Sequence, residues 1–278
     1  MKIIIKAGFV AIVLATALAA GAEVPLNNLQ GVGGVAFNPL AYPAGKPWSE
    51  EESDEIGLSE IFSKPQLGVW YVNLGDVDVD WTALGAALNI RNRLELSYGH
   101  EVIAPPGDNV HKNNLGTKLL LVPENAWEKP FIPALSAGVL WKDTDADLPA
   151  DVDDDGFDFY AVGTKLITEL PRPVLLSAGL LYTDERVTGV FGHDEDYDLT
   201  GFGNIDVSPL PNVAIGFEYK QGARFDDFKN ADYWDAHIAW FVNRNLTLVG
   251  AYVNAGDEDS TSKVGLGDGV VLSLHYAF

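Results

Sequence analysis

An alternation of apolar and polar side chains runs through YWDAHIAWFVNRNLTLVGAYVN (residues 233–254) and DGVVLSLHYAF (residues 268–278). Trp234, Ile238 and Trp240 fall on one face of an extended strand, whereas Asp235 and His237 fall on the other. The polar triplet at 243–245 predicts a tight turn, and the stretch at 255–268, rich in glycine and aspartate, predicts a longer loop. This region therefore predicts three consecutive antiparallel strands, each with one apolar face.

The same pattern recurs upstream in segments of similar length. The predicted strands are 66–74, 79–89, 93–103, 115–122, 134–141, 157–167, 174–183, 199–207, 213–220, 234–242, 246–254 and 269–278. A strand of about 9 to 11 residues crosses a bilayer at a tilt, and membrane barrels alternate apolar residues outward with polar residues inward. We therefore predict an all-β fold: a transmembrane, antiparallel, up-and-down β-barrel of about 12 strands with an irregular N-terminal segment.

The predicted connections alternate between short turns and long, mostly acidic loops. This asymmetry is typical of outer-membrane barrels, whose short turns face the periplasm. Aromatic residues lie near the strand ends that adjoin the long loops, where amphipathic rings favour the level of the lipid headgroups. We predict an aromatic girdle formed by Trp81, Tyr98, Trp141, Tyr160, Tyr182, Tyr219, Trp234 and Tyr252.

The N-terminal part of the chain does not share the strand pattern. Residues 1–22 have a basic start, an apolar stretch and the small-residue site Ala20-Gly21-Ala22, which together predict a cleaved signal peptide. Residues 23–63 contain a glycine-rich stretch, spaced prolines and an acidic run. We predict an irregular segment there, either a plug inside the barrel or a periplasmic extension below it. The barrel itself is predicted at residues 64–278.

Charge and composition exclude several classes of protein. The formal net charge of -22 argues against a nucleic-acid partner, because surfaces that bind nucleic acid are basic. The chain has no cysteine, which excludes disulfides, thiol catalysis and cysteine-ligated metals. No apolar stretch after the signal peptide is long enough for a spanning helix. A β-propeller and a soluble periplasmic sandwich remain as alternative folds, although each repeat of the pattern holds two strands and a propeller blade holds four.

The strand face opposite the apolar one carries most of the charged strand residues. By alternation we predict a lumen lined by Glu95, Lys118, Lys165, Asp206, Glu218, Lys220, Asp235, His237 and His275. Either these groups line a narrow aqueous channel, or they pair with one another and with the N-terminal segment and so close the barrel. We favour the channel, because a barrel of this size encloses more space than wall side chains readily fill.

The loop at 143–158 contains eight aspartates and neither lysine nor arginine. Asp151, Asp153 and Asp155 precede Gly156 in the way that the first ligands of an EF-hand loop do, but Val162 stands where the closing glutamate belongs. A solvated acidic loop is therefore favoured over weakly bound calcium. We predict no cofactor beyond that possible calcium ion.

Catalytic groupings are sparse in this sequence. The run His111-Lys112-Asn113-Asn114 lacks the serine that a barrel phospholipase needs, and His193-Asp194 is the loop candidate for an acid and histidine pair. A histidine beside acidic residues is more often an ordinary surface group. We predict that the protein is not an enzyme.

Residues 32–34, 157–166, 218–220, 232–254 and 272–274 carry a family resemblance. They resemble a proteobacterial, porin-like outer-membrane β-barrel family that is catalogued only as a domain of unknown function. The resemblance implies a barrel and no particular activity. The chain departs from the family in its N-terminal segment, where the glycine-rich opening is shorter and the acidic insert longer.

The last strand ends on Phe278, which resembles the closing strand of bacterial outer-membrane barrels. This resemblance implies recognition by the barrel-assembly machinery, a bacterial outer-membrane location, and contact with lipid and lipopolysaccharide. Our hypothesis is a passive or weakly selective channel for small solutes. The alternative is a closed structural barrel whose acidic extracellular loops bind divalent cations, surface glycans or a partner protein.

Overall fold

Twelve antiparallel strands close into one barrel in the computed structural model, which describes residues 26–49, 52, 57–145, 154–192, 196–226, 228–257 and 263–278. The strands are β1 (Gln66–Leu74), β2 (Val79–Ile90), β3 (Leu94–Ala104), β4 (Val110–Val122), β5 (Ala134–Asp145), β6 (Asp155–Ile167), β7 (Val174–Thr183), β8 (Asp198–Leu210), β9 (Val213–Lys220), β10 (Tyr233–Phe241), β11 (Leu246–Asn254) and β12 (Asp268–Ala277). Each strand pairs with its neighbours in the chain, and β1 pairs with β12 to complete the ring. The predicted fold class is confirmed.

Several predicted features lie outside the described residues. They include the signal peptide at 1–22, residues 23–25, 50–51 and 53–56 of the predicted N-terminal segment, and Asp151, Asp153, His193 and Asp194. The calcium and catalytic candidates that depend on these residues stay predictions.

Strand β4 differs most from its predicted bounds. It begins at Val110 rather than at 115, because Lys112 and Asn114 continue the alternation by turning toward Glu101 inside the barrel. Strand β8 similarly continues to Leu210, beyond the predicted end at 207. Polar residues suit the inside of a barrel, so a polar stretch beside a loop conceals the end of a strand.

The outward face of the barrel is apolar on every strand. Exposed apolar residues on successive strands include Val69, Leu84, Leu96, Leu115, Leu135, Phe159, Leu180, Ile205, Ile215, Ile238, Tyr252 and Leu272. A continuous apolar band of this kind is unfavourable in water and favourable against acyl chains. The alternation therefore describes a transmembrane wall, with lipid on one side and the lumen on the other.

The connections differ between the two ends of the barrel. At the end that we call the short-turn end, the strands are joined by residues 91–93, 123–133, 168–173, 211–212 and 242–245. At the opposite end, the long-loop end, the connections are 105–109, 146–154, 184–197, 221–232 and 255–267, together with the tight turn at 75–78. Within the described residues, helical structure is limited to the 3-10 helices Leu58–Glu60, Ala126–Glu128 and Val187–Gly189. No helix in that part of the chain is long and apolar enough to cross a membrane.

Candidate functional site in the barrel lumen

The N-terminal segment occupies the lumen. Residues 26–46, which we call the plug, are buried or half-buried, and Asn27, Asn28 and Asn38 are almost completely shielded. Internal hydrogen bonds keep the plug compact, since Asn28 Oδ1 accepts from the amide of Val32 at 3.0 Å and Leu40 N donates to Gly33 O at 3.1 Å. Of the two positions that the sequence left open, the described residues 26–46 take the one inside the barrel.

Glycines on the inner wall let one turn of the plug approach closely. Gly68, Gly85 and Gly99 are direct neighbours across β1, β2 and β3. A Cβ atom on Gly99 would lie 2.4 Å from Gln30 O, and one on Gly85 would lie 2.8 Å from Gly31 Cα. Gly31 itself has a φ of 87°, a conformation that other residues rarely adopt. These wall glycines therefore form a close contact surface for the plug, which we call the glycine seat and which larger residues would block.

A buried ion pair on β3 and β4 binds two separate parts of the plug. Glu95 accepts hydrogen bonds from the amides of Gly33 at 2.9 Å and Ala44 at 2.6 Å. Lys118 Nζ lies 2.8 Å from Glu95 Oε2 and also donates to Gly33 O at 2.8 Å. Both charged side chains are inaccessible to solvent. Charge-assisted bonds of this type are stronger than bonds between neutral groups, so this pair fastens the plug to the wall.

Glu218 holds the plug on the opposite side of the ring. Its carboxylate accepts from three consecutive amides, those of Ala36 at 2.9 Å, Phe37 at 3.1 Å and Asn38 at 3.1 Å. The side chain of Asn38 also donates to the backbone oxygen of Tyr219 at 3.0 Å. One buried carboxylate thus satisfies the donors of a whole turn of the plug.

Contacts between the plug and the wall are spaced evenly around the ring. They include Gly33 to Glu95 on β3, Ala41 to Thr164 on β6, Ala36 to Glu218 on β9, and Asn27 to His275 on β12. These are every third strand in the closed strand order. The plug is therefore tied to all four quadrants of the wall and spans the full cross-section.

The loop at 184–192 enters the barrel from the long-loop end, and we call it the inward loop. Glu185 is buried, accepts from Lys220 Nζ at 2.7 Å, and accepts from the hydroxyl of Tyr233 at 3.0 Å. Val190 packs against apolar wall residues, and its carbonyl accepts from Thr144 Oγ1 at 2.6 Å. This loop narrows the lumen on the side of the plug that faces the long loops.

The two acidic residues of the inward loop have opposite pKa shifts. Burial raises the pKa of Asp184 to about 6, although Lys142 opposes this effect. Burial also disfavours the charged form of Glu185, but Lys220 and Lys142 outweigh it and lower the pKa of Glu185 to about 2. Glu185 is therefore the charged anchor of the loop at neutral pH.

The predicted lumen residues point inward with one exception. Glu95, Lys118, Asp206, Glu218, Lys220, Asp235, His237 and His275 lie on the inner face. His237 lies between Asp235, at 2.6 Å from Nδ1, and Asp206, at 2.8 Å from Nε2. The prediction for Lys165 is wrong. Its neighbour Thr164 contacts the plug, so Lys165 lies on the outer face, where it pairs with Glu124 of the β4–β5 connection at 2.9 Å.

The aromatic girdle is also partly different from its prediction. Tyr98, Trp141, Tyr182, Tyr219, Trp234 and Tyr252 lie on the outer face. The prediction is wrong for Trp81 and Tyr160, which are buried inside the barrel at 5% and 6% exposure. Alternation along β2 and β6 places them on the same strand faces as Ala83 and Val162, which also face the lumen. An aromatic residue near a strand end belongs to the girdle only when the alternation along its strand places it on the outer face.

Sequence reasoning missed several inner charged groups. Glu101 pairs with Lys112 at 3.2 Å, and Lys142 pairs with Asp158 at 2.9 Å. Glu101 lies on the same face of β3 as Glu95, so the alternation that predicted Glu95 could also have predicted Glu101. Glu185 lies in a loop without periodicity, and nothing in the sequence indicated that it turns inward.

The remaining chemical candidates are dispersed. Among the described residues, no group of three or more histidine, aspartate or glutamate side chains is arranged to hold a metal ion. Asp155, the described member of the predicted calcium set, accepts from Trp141 Nε1 at 3.4 Å. His111 stacks on His100 on the outer face, with ring centroids 5.7 Å apart. Weak calcium binding and the absence of catalysis stay predictions.

The family described as "Protein of unknown function (DUF3034)" matches residues 24–272. The chain belongs to this family. Comparison with curated protein sequences gives no match. The DUF3034 match begins before the plug and ends in β12, so it covers both the plug and the barrel wall.

Several solved structures are similar to this barrel. The KdgM porin has 11% sequence identity to this DUF3034 chain and a TM-score of 0.54, covering 77% of this chain and 99% of the porin. The KdgM porin in complex with disordered oligogalacturonate has 10% identity and a TM-score of 0.53, covering 77% of this chain and 99% of that chain. Omp33 of Acinetobacter baumannii has 11% identity and a TM-score of 0.47, covering 79% and 98%. At these identities the KdgM likeness shows the fold alone, which is that of an outer-membrane porin barrel.

Proposed function

We propose that this protein is a bacterial outer-membrane channel of the porin type for small solutes, which the plug closes in the conformation described. Solute passage then requires the plug to leave the lumen. The proposal rests on one observation: the plug is tied to the wall at β3, β6, β9 and β12 and spans the cross-section. The porin fold of the KdgM structures supports the channel class.

The chemistry of the wall behind the plug supports a displaceable closure. Each strand already has two hydrogen-bonded neighbours, so the wall needs no bond from the plug to stay closed. Glu95, Lys118, Thr164 and Glu218 face the plug, and these groups hydrate well once water replaces it.

The path of the chain supports withdrawal toward the short-turn end. Leu26 packs against Ala214 and Phe241, which lie beside the 211–212 and 242–245 connections. The other end of the plug continues through Lys46, whose backbone bonds with Lys64 just before β1. Both ends of the plug therefore lie at the short-turn end, and the plug can leave as a loop without threading past the inward loop.

Planar-bilayer conductance tests the proposal with a variant that lacks residues 26–44. We expect discrete current steps from the deletion variant and long closed periods from the full chain. The double variant Glu95→Gln/Glu218→Gln is expected to open more often than the full chain, because it weakens two wall attachments. Asp108→Asn/Glu128→Gln is the matched control, since it removes two carboxylates from exposed connections. A deletion variant that folds as a barrel and stays silent contradicts the proposal.

The closed structural barrel is the second candidate, and the inward loop favours it. Glu185 and Val190 narrow the lumen on the other side of the plug, so removing the plug alone leaves a second obstruction. In this candidate the acidic loops bind divalent cations, surface glycans or a partner protein. Weak calcium binding at Asp151, Asp153 and Asp155 belongs to it. Silence of a folded deletion variant favours this candidate over the channel.

The location and assembly partners follow from the same proposal. The apolar outer face suits contact with membrane lipid and lipopolysaccharide, and the short-turn end is assigned to the periplasm. Phe278 is exposed and packs edge-on against Tyr276, with ring centroids 5.0 Å apart, which leaves it available to the barrel-assembly machinery. Fractionation of expressing cells tests the assignment, and recovery from the soluble periplasmic fraction contradicts it.

A further inference from the structure

A chamber lies between the plug and the long-loop end of the barrel. Its volume is about 80 Å³. Its apolar lining includes Phe37 of the plug together with Trp70, Trp81, Val253, Leu266 and Val271. The charged side chains of Glu101, Lys112, Lys220 and Asp235 also reach the lining. Apolar cavities hold water poorly, and they bind apolar groups that fit them.

Three polar atoms of the chamber lining lack hydrogen-bond partners among the described residues, namely Trp81 Nε1, Glu101 Oε2 and Asp235 Oδ2, and the first two lie on neighbouring strands. All three atoms are buried. Trp81 lies opposite Ile103, and Glu101 lies opposite Ala83, on the adjacent strands β2 and β3. Trp81 and Glu101 are therefore diagonal neighbours on the inner face, a separation of about 7–8 Å between backbones that side chains bridge readily.

The chemistry of Trp81 Nε1 and Glu101 Oε2 is complementary. An indole N–H donates only, and an ionised carboxylate oxygen accepts only. A hydroxyl group accepts from the first and donates to the second. Buried polar atoms without partners are costly and are usually satisfied by a ligand or by water. A mostly apolar chamber in which this donor and this acceptor lie on neighbouring strands suits a molecule with an apolar body and a hydroxyl group.

We propose that the chamber is a binding site for a small neutral alcohol with an apolar aliphatic or aromatic body. The body packs among Trp70, Val253 and Val271, and the hydroxyl group bridges Trp81 and Glu101. The site belongs to the closed barrel and requires no conduction, so it stands apart from the proposed channel. Size, an apolar body and a hydroxyl group select the ligand.

Saturation-transfer NMR on the purified full chain in detergent tests the site with benzyl alcohol and 1-butanol. We expect a saturable signal from both and none from glycerol, which resembles butanol in size but has no apolar body. Val271→Phe fills the chamber and is expected to reduce the signal at least tenfold. Val270→Phe is the matched control, because Val270 is the preceding residue on β12 and is 53% exposed on the outer face.

Further variants separate chamber binding from partition into the micelle. Ala255→Leu also fills the chamber and replaces Val271→Phe if that variant does not fold. Trp81→Phe and Glu101→Gln are expected to lower the affinity for benzyl alcohol several-fold while leaving toluene unchanged. An equal signal from every folded variant overturns the proposal, because it shows micelle partition only. A wild-type signal that does not saturate, or that glycerol matches, also overturns it.

Discussion

The plug and the inward loop close the same lumen by different physical means. The plug is held by backbone amides that donate to the carboxylates of Glu95 and Glu218 on opposite walls, and by apolar packing of its side chains against the wall. The inward loop is held chiefly at Glu185, which pairs with Lys220 and accepts from Tyr233, and it has a further contact at Val190. Backbone attachment at four quadrants makes the plug a cooperative closure, because it leaves only when several contacts break together. Attachment centred on one charged side chain makes the inward loop a local and adjustable closure.

The chain offers a direct way to compare these two closures. It contains no cysteine, so one introduced cysteine reports its own exposure by reaction with a polar maleimide. The substitution Ala36→Cys lies in the plug, where Ala36 is 8% exposed, and we call its side chain the plug thiol. Asp108→Cys lies in an exposed connection and gives the rate of a free thiol. The ratio of the two rates measures how often the plug opens.

The largest effect is expected from Gly99→Val in the Ala36→Cys background. Any Cβ at this position lies 2.4 Å from Gln30 O, and that backbone atom has no flexible end that can move aside. We expect the glycine seat to be blocked and the plug thiol to become almost as reactive as the free thiol. Gly250→Val is the matched control, because the nearest heavy atom to a Cβ there lies at an ordinary 3.9 Å. Continued protection of the plug thiol in a folded Gly99→Val barrel contradicts the role assigned to the seat.

The glycine seat also shows which parts of the structure could be predicted from the sequence and which could not. The barrel was predictable because lipid and lumen impose a period of two on every strand, and Ile238 and His237 display it plainly. The fit of Gly31 against Gly85 was not predictable, because it depends on which distant segments meet inside the barrel. Lys165 was assigned to the lumen because of its charge, although alternation from the outward-facing Phe159 on the same strand places it on the outer face. The position of a residue in the alternation was a reliable guide to the face on which it lies, and its residue type was not.

A smaller effect is expected from Lys118→Gln, compared with Arg224→Gln. Removing Lys118 leaves the carboxylate of Glu95 buried without its cation, and breaking such a pair typically costs about 3–5 kcal/mol. Arg224 pairs with Asp232 at 3.2 Å in the 221–232 connection, where both side chains stay accessible and an ion pair typically contributes roughly 0–1 kcal/mol. Reaction of the plug thiol is therefore expected to accelerate on the order of a hundredfold in the first variant, since about 1.4 kcal/mol corresponds to tenfold. Equal rates in the two variants would show that Lys118 does not hold the plug.

The smallest effect is expected from the inward loop and depends on pH. Glu185 has a pKa of about 2 in the docked loop, against an ordinary value of 4.5. Its contribution to docking is therefore complete above pH 4.5 and is lost as the pH falls from 4.5 toward 2. A nitroxide on Asp196→Cys, in the exposed part of the connection that follows the inward loop, reports docking through its mobility in electron paramagnetic resonance spectra. We expect mobility to rise over this pH range, with docking weakened on the order of tenfold by about pH 3.

Asp184 provides a control of opposite sign within the same loop. Burial raises its pKa to about 6 from an ordinary 3.8, so its contribution favours docking below pH 3.8 and is lost as the pH rises toward 6. The two residues together predict the lowest mobility near pH 4 to 5. Asp184→Asn is expected to remove the rise in mobility between pH 4 and 6, and Glu185→Gln the rise below pH 4.5. Identical pH profiles in the parent and both variants would mean that neither carboxylate controls the loop, and the contrast between a cooperative plug and an adjustable loop would then rest on geometry alone.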